Sequence, residues 1–328
     1  MSIVRSGRSV IVAEGFAVSD PIAPLSPAGL RTYSLSARKS KVGIAEFART
    51  TRPGDTVRRF LEHLPDVLAA RDFRELAARL KAAKKKRRTI LWAMGAHVIK
   101  VGLNPVLIDL MKNGWVSGLA LNGAGIIHDF ELAYCGKTSE DVGAEIKTGR
   151  FGMARETGTF LNAAIRQAAA EGQGLGTAVG RMIARSNFPH KKSSLLAVAY
   201  GLGIPATVHV ALGTDIIHAH PTASGEAIGA TSLRDFFVFA ALVAKLEQGV
   251  FLNIGSAVVL PEVFLKAVAL VRNQGTALDD FTTAVFDFNR QYRPAENVAR
   301  RPLGKKGRGI YIVGPHEIMI PLLAAALG

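Results

Sequence analysis

The chain holds 328 residues, 48% of them hydrophobic, with a formal net charge of +15. That length and apolar content support a sizeable buried core, and no apolar run approaches the roughly 18 residues of a membrane-spanning helix. The single cysteine, Cys135, excludes an intramolecular disulfide and a multi-cysteine zinc site; we expect it to be a small buried residue near a helix end, in a soluble cytoplasmic protein.

The basic start, Met1 to Arg8, lacks the long apolar segment and cleavage signature of a secretory signal. Arg and Ser recur up to Lys41, as in transit peptides, while Glu14 and Asp20 argue against one. Residues 1–55 read as a basic arm with only local structure, residues 56–88 as a helical hairpin, and residues 89–328 as the main domain. In the hairpin, Val57, Phe60, Leu61, Leu64, Val67 and Leu68, then Phe73, Leu76 and Leu80, recur at helical spacing. Its basic end, Lys84 to Arg88, carries no interleaved aromatics for base stacking, so it reads as a solvated helix terminus rather than a nucleic-acid surface.

Thr89 to Ala96 is the first strand expected. A helix at Asn104 to Asn113 follows, with Asn104 as cap and Pro105 at its first position. Then come a strand at Gly118 to Asn122, helices at Asp129 to Tyr134, Gly158 to Gln173, Gly176 to Ile183 and Ser193 to Gly201, and a strand at Ala206 to Leu212. The remainder alternates: helix Leu233 to Gln248, strand Val250 to Ile254, helix Pro261 to Gln274, strands Phe281 to Phe286 and Gly309 to Val313, and helix His316 to Leu327. Nearly all-apolar strands alternating with helices predict an α/β fold: a Rossmann-like, doubly wound, mostly parallel sheet with helices on both faces and an N-terminal helical extension.

Three strand-to-helix turns share one pattern, an apolar run followed by glycine: Val116 to Asp129, Ala206 to His220 and Gly249 to Val259. The first two end in Gly-x-x-Ile-Ile-His. In an open parallel sheet such turns meet at the carboxyl edge, where backbone N–H groups and helix dipoles collect anions. Neither a full dinucleotide fingerprint nor a P-loop is present. Six histidines (His97, His128, His209, His218, His220 and His316) sit on or just after predicted strands. Asp215, His218 and His220 resemble a metal-ligand string, although a His-x-His on a helix or loop diverges. Glu226, Glu262, Glu296 and Glu317 are candidates for holding a cation. Lys305, in Gly304-Lys-Lys-Gly-Arg-Gly309, is a candidate imine-forming lysine if burial depresses its pKa.

Taken in order from about Ile90, these segments resemble the deoxyhypusine synthase family. The pieces are Trp92 to Gly102, Gly118 to Asp129, Gly203-Ile-Pro-Ala with Leu212-Gly-Thr-Asp215, Ile254-Gly-Ser-Ala-Val-Val259, Arg293-Pro-Ala-Glu-Asn-Val298 and Ile320-Pro-Leu-Leu323. The resemblance implies NAD bound between subunits of a homotetramer, and transfer of an aminobutyl group from spermidine to an amine acceptor through a lysine imine. It places Gly102, Gly123, Gly125, Asp129, Gly213, Asp215, Gly255 and Ser256 on the cofactor. His218, Glu262 and Glu296 fall on the substrate, and Lys305 and His128 on the chemistry, with Lys305 expected to be buried near the Asp215 and Gly255 turns.

Departures from the family pattern accompany it. Ile127-His128 replaces an acidic pair, Leu260-Pro261-Glu262 replaces a Lys-His-His, the family's Asp-Gly-Ser-Asp-Ser-Gly loop is missing around Phe288 to Gln291, and Gly314-Pro-His-Glu317 loses an acid. These favour a rival reading, a paralogue that binds NAD or another nucleotide without hypusination. A third reading is a metal-dependent hydrolase using His128, His218 and His220.

Overall fold

The computed structural model describes residues 22–328, so Met1 to Arg8, Glu14 and Asp20 lie outside the described residues. The chain divides after Gly43. Residues 22–43 contain one short 3-10 turn, Leu35–Ala37, and expose Ile22, Leu25 and Leu30. Residues from Ile44 onward form one compact unit, which includes the helical hairpin.

That hairpin is α1 (Val57–His63), capped by Thr56 through the Arg59 amide, and α2 (Leu68–Lys85). One face of α2, with Phe73, Leu76 and Leu80, is fully buried. Arg308 anchors the helix beside that face through Asp72 and Glu75. Where α2 ends, Lys84 lies over the Trp115 ring at 3.9 Å rather than wholly in solvent.

The sheet follows: β1 (Ile90–Met94), β2 (Gly118–Asn122), β3 (Ala206–His209), β4 (Val250–Ile254), β5 (Thr282–Asp287) and β6 (Arg308–Val313). All five pairings are parallel, in the order β3-β2-β1-β4-β5-β6. The first five strands are entirely or almost entirely buried, because helices cover both faces. Alternation sends Ile90, Trp92 and Met94 to one core, and Leu91 and Ala93 to the other.

Between the strands run α3 (His97–Lys100), α4 (Asn104–Lys112), α5 (Gly123–Cys135), α6 (Val142–Glu145), α7 (Arg155–Ala170), α8 (Leu175–Arg185), α9 (Leu195–Gly201) and α10 (Gly225–Val243). Then come α11 (Val259–Asn273), α12 (Tyr292–Asn297) and α13 (His316–Leu327). The first core packs α2, α4, α5, α8, α9 and α13; the second packs the end of α10 with α11. The predicted doubly wound sheet is therefore present.

Several local expectations are corrected. Asn104 does not cap α4: Leu103 holds that position, and buried Asn104 donates to the Ser193 carbonyl at 2.8 Å. The helix after β2 starts at Gly123 rather than Asp129, since Asn122 Oδ1 accepts the Gly125 amide at 3.1 Å and caps it. Ser224 likewise caps α10 through the Ala227 amide, ahead of the expected Leu233. Cys135 is exposed, not buried, because α5 ends there.

Candidate active-site cleft

The carboxyl ends of β2 and β3 are neighbours, so the first two glycine turns lie side by side. Between them opens a cleft of about 220 Å³ lined by Lys100, Ala124, Ile127, His128, Glu131, Ser139, Glu140, Thr214, Asp215 and Ile216. Two expected residues, His128 and Asp215, thus meet in one cavity with Lys100, Glu131 and Glu140.

His128 stands on the first turns of α5. Its Nδ1 lies 2.6 Å from Thr138 Oγ1, and that hydroxyl donates to Glu131 Oε2 at 2.5 Å. Thr157 Oγ1 donates to the other Glu131 oxygen at 3.1 Å. Burial, reinforced by the Lys100 ammonium, lowers the His128 pKa to about 4, so the imidazole is neutral near pH 7. Glu140 is fixed from the far side by the Gly152 amide at 2.9 Å.

Asp215 is only 8% exposed at its side chain, and its carboxylate lies against the Cα of Gly123. A methyl group on Gly123 would sit 1.9 Å from Asp215 Oδ2, so glycine is needed there for the carboxylate to approach α5. Burial raises the Asp215 pKa to about 6. Behind it, His218 Nδ1 accepts the Gly213 and Asp215 amides at 3.1 and 3.2 Å. Its Nε2 is buried without a partner, 3.8 Å from Asp215 Oδ2.

The other residues expected at the cofactor are engaged by the protein itself. Asp129 is completely buried and accepts from Ser194 Oγ (2.5 Å) and from the Leu195 and Leu196 amides (2.7 and 3.1 Å), capping α9. Gly125 packs on Leu121, and Gly102, in the left-handed region at the end of α3, is exposed. At the third turn, Gly255 lies against the His316 ring, and Ser256 Oγ accepts the Leu260 amide in the first turn of α11. A methyl group on Gly95 would fall 2.1 Å from the Gly255 carbonyl oxygen, so the turns after β1 and β4 close directly on each other.

The expected substrate carboxylates do not join the cleft. Glu262 pairs with Lys266 and Arg293 and accepts from Asn297, and Glu296 pairs with Arg300 and Arg301. Glu226 and Glu317 are exposed. Lys305 is likewise exposed, and its backbone amide donates to Asp279. It precedes β6, and in a parallel sheet that places it at the amino edge, opposite the glycine turns; the expectation of a buried lysine near Asp215 and Gly255 is corrected. A hollow of about 890 Å³ there is lined by Arg272, Asp279 and Lys305, but Arg272 is spent on the Leu278 and Pro302 carbonyls. Among the described residues, no three His, Cys, Asp or Glu side chains gather as a metal site. His220 turns instead to Thr222 Oγ1 at 2.8 Å.

Sequence reasoning missed Lys100, Glu131, Thr138 and Glu140. Only the His128-to-Glu131 pair was readable, as an i, i+3 spacing on a helix; Lys100 arrives at the end of the short α3, and Thr138 and Glu140 arrive on a loop.

No family model and no curated protein sequence matches the chain. Among solved structures, it is similar to unliganded AgrE, with a TM-score of 0.50 and 18% identity over 78% of this chain and 32% of AgrE. AgrE in ternary complex with ornithine and NAD+ gives 0.49 and 18%, covering 80% of this chain and 34% of AgrE. A protein from Entamoeba histolytica described as a deoxyhypusine synthase gives 0.49 and 11%, covering 83% of this chain and 93% of that one. The chain thus spans about a third of the length of AgrE. At such identities the likeness is one of fold.

Proposed function

We propose that this chain is a small-molecule enzyme of the NAD-linked α/β type that performs acid–base chemistry on an amine in the cleft between β2 and β3. The observation that carries the reading is the meeting of His128 and Asp215 there, a base lowered to about 4 and an acid raised to about 6. Two groups whose environments shift them in this way supply a neutral imidazole that accepts hydrogen bonds and a carboxyl that carries a proton near neutral pH. Although the chain is strongly basic, the cleft holds Glu131, Glu140 and Asp215 against the single Lys100. Its local field therefore favours an ammonium group, which supports an amine or polyamine over an anionic substrate.

NAD enters as a proposal resting on the sheet order. The topological switch lies between β1 and β4, where open α/β sheets take their ligands. The residues there suit a polar ring: His316 Nδ1 and Asn253 Oδ1 are buried and unpartnered, and the exposed His97 ring stands 5.6 Å from that of His316. His97, Asn253 and His316 would hold the cofactor's ring end, and the chemistry it supplies when bound is acceptance of a hydride. The switch is two strand spacings from the cleft, about 10 Å, so an extended polyamine with one ammonium in the cleft would bring a second amine to the ring. In the cleft, Glu140 and Asp215 would receive the ammonium, Asp215 as the stronger base would carry a proton, and the neutral His128 Nε2 would accept a hydrogen bond from the amine.

Aminobutyl transfer through Lys305 gains no support from an exposed lysine at the opposite edge, which favours the rival reading of a nucleotide-binding paralogue without hypusination. One experiment separates them. NAD+ is titrated calorimetrically into the full chain, and NADH formation is then followed with diamines and polyamines. Binding with turnover that is lost in His128→Gln supports the enzyme, and binding without turnover supports the paralogue. Absence of both overturns the NAD assignment.

A further inference from the structure

His128 and His218, on the first two glycine turns, are engaged differently at Nδ1, and the hydroxyl chemistry around His128 determines which nitrogen is bare. Glu131 as a carboxylate only accepts, and it takes the Thr138 hydroxyl at 2.5 Å, the length of a charge-assisted O–H···O bond. A hydroxyl has one proton. With that proton committed to Glu131, Thr138 Oγ1 meets His128 only as an acceptor, so the Nδ1 atom 2.6 Å away carries the ring proton. The Thr157 hydroxyl holds the second Glu131 oxygen and keeps the carboxylate from turning away. Glu131 Oε2 itself lies 3.9 Å from His128 Nδ1, too far for direct contact, so Thr138 is the necessary link. At His218 the logic reverses: Nδ1 accepts two backbone amides, so the proton sits on Nε2 beside Asp215.

We propose that Thr138 and Glu131 are positioning residues that lock His128 as its Nδ1–H tautomer, leaving Nε2 as an unprotonated base in the cleft. The proposal rests on the cleft being the reactive site, but the lock itself is independent of any substrate. Among the described residues His128 Nε2 has no hydrogen-bond partner, and it is not one of the buried unpartnered atoms, so it is open to a ligand. An imidazole free to exchange tautomers would present the wrong nitrogen for part of the time. The chain from Glu131 through Thr138 removes that fraction, as a carboxylate does when it orients a catalytic imidazole directly.

The test is long-range proton–nitrogen correlation NMR on the full chain with labelled histidine, at neutral pH and without ligand. His128 is expected as the neutral Nδ1–H form and His218 as the neutral Nε2–H form. Thr138→Val should shift His128 to a majority Nε2–H form, Thr138→Ser should restore Nδ1–H, and His218 should be unmoved in both. Glu131→Gln should convert His128 to a mixture. Acylation by diethyl pyrocarbonate, mapped by mass spectrometry, gives a second readout: the native and Ser variants should modify at Nε2, and Val should slow that reaction several-fold. A native His128 carrying its proton on Nε2, or a tautomer unchanged by Thr138→Val in a folded variant, overturns the proposal. Because neither readout uses NAD or an amine, failure of the lock is distinguishable from failure of the enzymatic reading.

Discussion

Asp129→Ala tests whether this carboxylate serves the fold rather than a ligand. Ser194 Oγ keeps a role by accepting the Ala197 amide, and Asn104 keeps the Ser193 carbonyl, but the buried Leu195 and Leu196 amides lose the Asp129 carboxylate, their only side-chain acceptor among the described residues. Two orphaned buried donors cost roughly 2–6 kcal/mol. Burial outweighs the Ser194, backbone and Asn104 hydrogen bonds and raises the Asp129 pKa from 3.8 to about 6. A raised folded-state value means that the group's contribution is complete below pH 4 and is lost as pH rises through 6. Two units correspond to about 3 kcal/mol at 1.36 kcal/mol each. Urea denaturation of both proteins across pH 4 to 8 should therefore show the variant least stable, relative to the native chain, at the acid end. The gap should narrow by about 3 kcal/mol towards neutrality. Asp215 and Asp235, also raised by burial, titrate in both proteins and cancel in the difference. A gap that is flat, or that widens with pH, would show that the ionised carboxylate is the favoured form and refute the reasoning.

Gly95→Ala should lower stability by about 1–3 kcal/mol or more, read as a fall in Tm, because its methyl group meets the Gly255 carbonyl oxygen with no flexible side chain to yield. Lys100→Met should raise the His128 pKa in an NMR titration, since it removes the cation that reinforces burial. The value should stay below that of a free imidazole, because burial is the larger cause. Lys305→Ala should change stability by no more than about 0.5 kcal/mol and leave ligand binding at the cleft intact, as expected of an exposed loop residue.

The periodicity of this chain made its strands and long helices readable as elements, with Val250–Ile254 and His316–Leu327 where the pattern puts them and α5 and α10 starting six and eight residues earlier than expected. The short helices α3, α6 and α12 were not visible, since four to six residues carry too little period. The glycine turns were legible as turns, but not the protein groups that approach them, Asp215 at Gly123 and His316 at Gly255. A glycine needed for close approach looks the same in sequence whether a phosphate or Asp215 comes near it. Asp129 shows the same limit, for its partners lie at residues 194–196, far along the chain. His128 was found because its turn was conspicuous, whereas Thr138 was not, because nothing local announces a hydroxyl that bridges back across a helix end.

The contact of Gly95 with Gly255 divides labour within the molecule. Every side chain lining the cleft comes from the stretch between Lys100 and Ile216, on the β1-β2-β3 side of that seam. The strands β4 to β6 and α13 share the core beneath it without lining it. Substitutions in the exposed loop before β6, around Lys305, should therefore leave the cleft undisturbed, whereas Asn253 and His316 lie beyond the seam but serve the proposed ring site.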